Sequence, residues 1–203
     1  MADNVAITAG SGTSIAADDI SSVFYQRVKV TWGADGTAND ANATTPLPVS
    51  PVNGHAFDVA VIPTVSAGAY SANDIMGALL TFANCARAND EKIIITGVQV
   101  ISKAAVIPNL TLVLFNADPS STTKTDNAAY SLNAADAFKV IKAIPVTGLY
   151  DHGTPNTWSV DNLCIVASPV SGGRDIYGLL IDGSGVTLAS TGDIQVRVRG
   201  VGA

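Results

Sequence analysis

The sequence predicts an all-β protein, an antiparallel two-sheet β-sandwich of jelly-roll type with an extended N-terminal arm. Three observations carry that expectation. Seven or eight short apolar runs, separated by turn residues, fall within 54–203 without an alternating strand and helix rhythm. The stretch 92–116, KIIITGVQVISKAAVIPNLTLVLFN, reads as a strand, a connection and a strand. Both runs are so nearly continuous in large apolar residues that they belong in the middle of a sheet, covered on one face by another layer. Residues 1–53 differ in texture, being small and polar apart from one strand-like decamer.

Length and composition bound the function. A chain of 203 residues accommodates one well-buried domain and an appendage. Hydrophobic residues make up 47% and charged residues 14%, which excludes a disordered chain. Glu occurs only at Glu91, so no long Glu/Lys/Leu helix with charged pairs along its face is available, which argues against an α-bundle. Seventeen acids and eleven bases leave a net charge of −6 with no run of either sign. Bases stand two apart only at Arg27 and Lys29 and at Arg197 and Arg199, with no larger cluster, which argues against nucleic acid as a partner. Apolar runs are of strand length, so no membrane span is expected. The start, MADNVAITAG, lacks the basic and apolar regions of a secretory signal, so synthesis in the cytoplasm is expected. Cys85 and Cys164 lack metal-type spacing and read as two buried thiols acting as small hydrophobes, in preference to a disulfide.

In the decamer 23–32, VFYQRVKVTW, one face carries Phe24, Gln26, Val28, Val30 and Trp32, and the other Val23, Tyr25, Arg27, Lys29 and Thr31. No hairpin mate is evident beside it. An unpaired strand cannot satisfy its backbone, so it must add to a sheet edge in its own domain or in a neighbouring subunit. Phe24, Tyr25, Val28, Val30 and Trp32 are therefore the candidate interface residues. The segment 33–50, rich in Gly, Asp, Asn and Pro, reads as a linker. Beyond it, strands are predicted at 57–65, 92–102, 109–116, 144–150, 163–167, 176–181 and 194–199, with a weaker one at 186–188. Residues 71–83 allow a short helix capped by Ser71, or a loop leading into an edge strand. Residues 133–141 predict a short helix capped by Asn133 and stopped by Pro145, with Phe138 and Ile141 as its apolar positions. The run DIQVRVRG places Ile194, Val196 and Val198 inward; Gln195, Arg197 and Arg199 face solvent or a partner.

No motif of catalysis or ligation accompanies these elements. His55 and His152 neighbour Asp58 and Asp151, yet no nucleophile elbow, zinc motif or paired carboxylates attend either, and both read as loop residues. Gly10-Ser11-Gly12 follows no strand and has Ile15 where a dinucleotide fingerprint needs its third glycine. The Asp35 to Asp40 loop lacks EF-hand spacing and reads as Asx turns. Gly172-Gly173-Arg174-Asp175 and Asp182-Gly183-Ser184-Gly185 read as hairpin turns. Trp32, Trp158 and five tyrosines could stack sugars, but no two share a convincing strand face. No catalytic residue, cofactor or metal is expected.

A resemblance narrows the function. Tyr25-Gln26-Arg27-Val28-Lys29, then Gly33-Ala34-Asp35-Gly36-Thr37, then a polar spacer and Pro46-Leu47-Pro48-Val49, resemble the N-terminal signature of small structural proteins of tailed bacteriophages. The following ITGVQVISKAAVIPNLTLVLFN is similar to the β-sandwich part of such proteins, so the likeness covers most of the chain. It implies a virion component without catalytic residues: a capsid decoration or cement protein, homo-oligomeric and often trimeric, bound to major capsid or other virion proteins. The alternative is a carbohydrate- or receptor-binding module of a tail or spike, in which Trp158 would contact the glycan.

Overall fold

The computed structural model describes residues 17–20, 23–26, 31–32, 39–40, 55–103, 107, 109–153 and 155–202. The chain divides into two compact units, Met1–Pro51 and Val52–Ala203.

In the first unit β1 (Ala17–Ile20) pairs antiparallel with β2 (Val23–Gln26), and β3 (Thr31–Trp32) with β4 (Asn39–Asp40). The expectation of a single decamer without a local mate is thereby corrected. Its first four residues pair with Ala17–Ile20 across a connection of only two residues, and its last two pair with Asn39–Asp40. Backbone pairing needs no apolar side chains, so the polar sequence ADDI hides a strand that composition does not reveal.

The second unit is all-β and antiparallel. In chain order it contains β5 (Ala56–Val61), β6 (Gly68–Ala69), β7 (Asp74–Ile75), β8 (Leu80–Phe82), β9 (Ile93–Ser102), β10 (Leu110–Phe115), β11 (Val140–Val146), β12 (Gly148–Asp151), β13 (Asn156–Val160), β14 (Ile165–Ala167), β15 (Ile176–Asp182), β16 (Thr187–Leu188) and β17 (Ile194–Gly202). A six-stranded sheet runs β12-β13-β9-β17-β5, with β14 also on β9; a five-stranded sheet runs β11-β10-β15-β7, with β8 also on β15. The two runs of 92–116 are thus central strands, as their apolar continuity predicts, but of different sheets. The connection between them changes sheet.

Inward residues of both sheets share one core. Val98, Val100, Val196, Val198 and Trp158 come from the six-stranded sheet, and Leu110, Leu112, Leu114, Ile176 and Leu180 from the five-stranded one. The outer face of the five-stranded sheet is buried as well. Ile75, Val113, Phe115, Leu179 and Ile181 form a second core, against which Leu79, Tyr130, Val140 and Tyr177 pack. This explains why β10 and β15 are apolar on alternate positions that a sheet with one wet face would leave polar. Part of the cover is Tyr130, carried by 126–130, a segment that continues the sheet beside β7: Ile75 N donates to Ala128 O at 2.9 Å, Asn127 N to Ile75 O at 2.9 Å and Tyr130 N to Asn73 O at 2.8 Å.

Other expectations shift by local detail. Residues 71–83 form β7 and β8 rather than a helix, with Gly77 between them at φ +83. The expected strand 144–150 is two strands in two sheets, β11 and β12, divided at Thr147. The helix capped by Asn133 is present as a 3-10 helix, Ala134–Lys139, and Asn133 Oδ1 accepts from Ala135 N at 2.9 Å. Phe138, expected to face inward, is instead 99% exposed.

Candidate interaction surfaces

Of the candidate interface residues, Phe24 and Tyr25 lie in β2, opposite Asp19 and Asp18, and Trp32 lies in β3 opposite Asn39. Val28 and Val30 fall outside the described residues, as do Gly10-Ser11-Gly12 and most of the Asp35 to Asp40 loop.

Each histidine is directed to a partner other than the carboxylate beside it in sequence. His55 Nε2 lies 3.4 Å from Asn84 O, while Asp58 faces Arg197 and Arg199 at 3.3 and 3.7 Å. His152 Nε2 lies 3.3 Å from Thr157 Oγ1, and its ring packs at 4.5 Å against Tyr150, whereas Asp151 Oδ1 accepts from Gly153 N. Trp158 is 1% exposed in the middle of β13. It cannot meet a glycan in the folded chain. Both glycine-rich turns are docked to the scaffold: Gly172 N donates to Asp90 Oδ1 at 2.7 Å and Gly183 N to Asn109 O at 2.6 Å, while Ser184 N and Oγ close the second turn on Asp182 Oδ1 at 3.0 and 3.1 Å. Among the described residues no group of three or more His, Cys, Asp or Glu could hold a metal ion. Cys85 and Cys164 are free thiols; Cys85 is buried as expected, but Cys164 is exposed, which corrects the expectation of burial for it. Burial pushes the Cys85 thiol up to about 12, with the Asp175 charge adding to it, so it remains protonated at neutral pH.

Two features stand out, the second of them on the outer side of the five-stranded sheet. One is a carboxylate hub. Asp126 accepts from Ser66 N at 2.7 Å, Ser66 Oγ at 2.5 Å, Tyr70 Oη at 2.7 Å and Gly77 N at 2.5 Å. It ties the covering segment to two loops far away in sequence. Burial by itself raises the Asp126 carboxyl, but the hydrogen bonds from Ser66, Tyr70 and Gly77 outweigh it and hold the group below the usual carboxylate range. Burial and the bond to Asp126 push the Tyr70 hydroxyl up in turn. A carboxyl depressed in the folded state stabilises the fold above its unfolded value of about 4 and loses that contribution as pH falls through the folded value. Acid titration of urea midpoints should therefore show a steeper loss below about pH 4 for the wild type than for Asp126→Asn. Parallel curves would remove Asp126 from the acid response.

The other feature is a groove of about 360 Å³, lined by Val113, Ala143, Ile181, Tyr130, Leu132 and Val140, with Asn73, Thr111 and Gly183 at its polar margin. Sequence reasoning missed it. The available signal was the apolar outer positions Val113 and Ile181, which imply a cover but not where that cover stops.

The sequence matches no protein-family model and no curated protein.

Proposed function

We propose that this chain is a structural component of a phage virion, a capsid decoration or cement protein. In this reading the globular unit is a two-sheet sandwich of jelly-roll type that forms a symmetric oligomer, a trimer by the resemblance. The N-terminal arm attaches it to the major capsid protein or another shell protein. The protein acts without catalysis, through burial of area and addition of strands. The reading is supported by the Tyr25 to Lys29, Gly33 to Thr37 and Pro46 to Val49 motifs. The observation that carries it is the make-up of the leader. Its described strands form two ladders of four and two residue pairs, each joined only to another leader strand. Two-stranded ladders of that length are marginal in water, so the leader gains stability by laying an apolar face on a further surface. Phe24, Tyr25, Val28, Val30 and Trp32 are the residues assigned to that contact.

Deletion of residues 1–32 should abolish co-sedimentation with capsids of the phage that encodes the chain while leaving the globular unit folded. Undiminished attachment would defeat the proposal. The open groove favours a second reading, a receptor- or carbohydrate-binding module of a tail or spike. Glycan binding by the intact chain that survives the same deletion would support it.

A further inference from the structure

We infer that Phe138 of one copy of this chain seats in the groove over the five-stranded sheet of a second copy. The inference rests on the oligomeric part of the proposed function and supplies a contact for it.

Phe138 is held out deliberately by its surroundings. Its side chain is 99% exposed, yet the turn that carries it is fixed from below by Asp136, which is 1% exposed. Asp136 accepts from Ser121 N at 2.9 Å and Thr122 Oγ1 at 2.9 Å, and its other oxygen lies 2.8 Å from Lys139 Nζ. The Asn133 cap closes the other end of the same short helix. An aromatic ring on a fixed turn loses little freedom when it is covered, and burying it is favourable.

The groove stands beside this knob. Leu132 and Val140, which precede and follow the 3-10 helix, both line it. Its interior is aliphatic with one tyrosine, and no charged side chain lines it, so two chains of net charge −6 can meet there without desolvating like charges. A ligand confined to the groove would leave Phe138 in water. A second copy covers both at once, reciprocally about a two-fold axis or head to tail around a closed ring.

The test is sedimentation velocity on the full chain, on Phe138→Ser and on Ala143→Arg, which places a charge at an exposed position of the groove wall. Each variant should keep the wild-type melting temperature within a few degrees and weaken self-association by about tenfold or more. An equimolar mixture should associate more strongly than either variant alone, because an intact ring then meets an intact groove. Association unchanged in both variants overturns this contact and leaves oligomerisation standing through another surface. A wild type that stays monomeric at high micromolar concentration overturns the contact together with the oligomeric reading, while attachment by the arm is still judged by its own deletion.

Discussion

Trp158→Ala is expected to destabilise the globular unit by about 3–5 kcal/mol, read as a lower urea midpoint at unchanged slope. Trp158 is among the largest fully buried side chains and sits where three strands meet in register. Its Cα partners are Leu149 on β12 and Val100 on β9, and Val100 is in turn opposite Val196 on β17. Truncation leaves a cavity between sheets whose strands are pinned on either side, so collapse around it is limited. Trp158→Phe should cost far less, about 1 kcal/mol, because the indole Nε1 has no hydrogen-bond partner among the described residues and its removal relieves a buried donor. Equal costs for the two substitutions would mean that the ring does not fill the core. Glycan binding by the intact chain must in any case be sought elsewhere than at this residue.

Gly200→Ala is expected to cost about 3 kcal/mol, towards the upper end of the range for overpacking. Gly200 lies at the register shift between β17 and β9, directly after Arg199. A Cβ there would land on the carbonyl oxygen of Ile94 and come within 2.5 Å of the Phe57 ring. The ring can move, but the carbonyl belongs to the central strand of the six-stranded sheet and cannot move without breaking its pairing. A bulge opposed by two strands makes glycine a requirement of close approach at this position. Thermal melting of Gly200→Ala beside Gly192→Ala checks it, since a Cβ at Gly192 meets nothing within 4 Å. Equal melting temperatures would show that the strands are not pressed together at residue 200.

Much of the architecture was legible in the residues. The apolar runs 92–102, 109–116, 176–181 and 194–199 appear as β9, β10, β15 and β17, and the alternation in DIQVRVRG places Ile194, Val196 and Val198 in the core. These strands are central, so burial dictates their composition. What was missed lies at the edges and bends. β13, NTWSV, has only Trp158 and Val160 as apolar residues among polar neighbours, too short a pattern to register as a strand. The run 144–150 gave no sign of changing sheet at Thr147, because strand pattern reports burial and not which sheet is being joined. ADDI was hidden by its polarity. Phe138 obeyed helical spacing, yet the turn formed as a 3-10 helix with three residues per turn, which faces that position outward. The groove was illegible for a related reason, since it is bounded by the place where a cover ends. No local pattern encodes that.

The position of β17 has a consequence for how the chain is made. This strand inserts between β9 and β5, which precede it by about 100 and about 140 residues. A polypeptide leaving the ribosome therefore presents two strands with open edges long before their common neighbour exists. Those edges are the natural targets for chaperones or for adhesion to a sister nascent chain. Maturation of the six-stranded sheet is a late event, and crowded synthesis is the condition under which this protein would misassemble first.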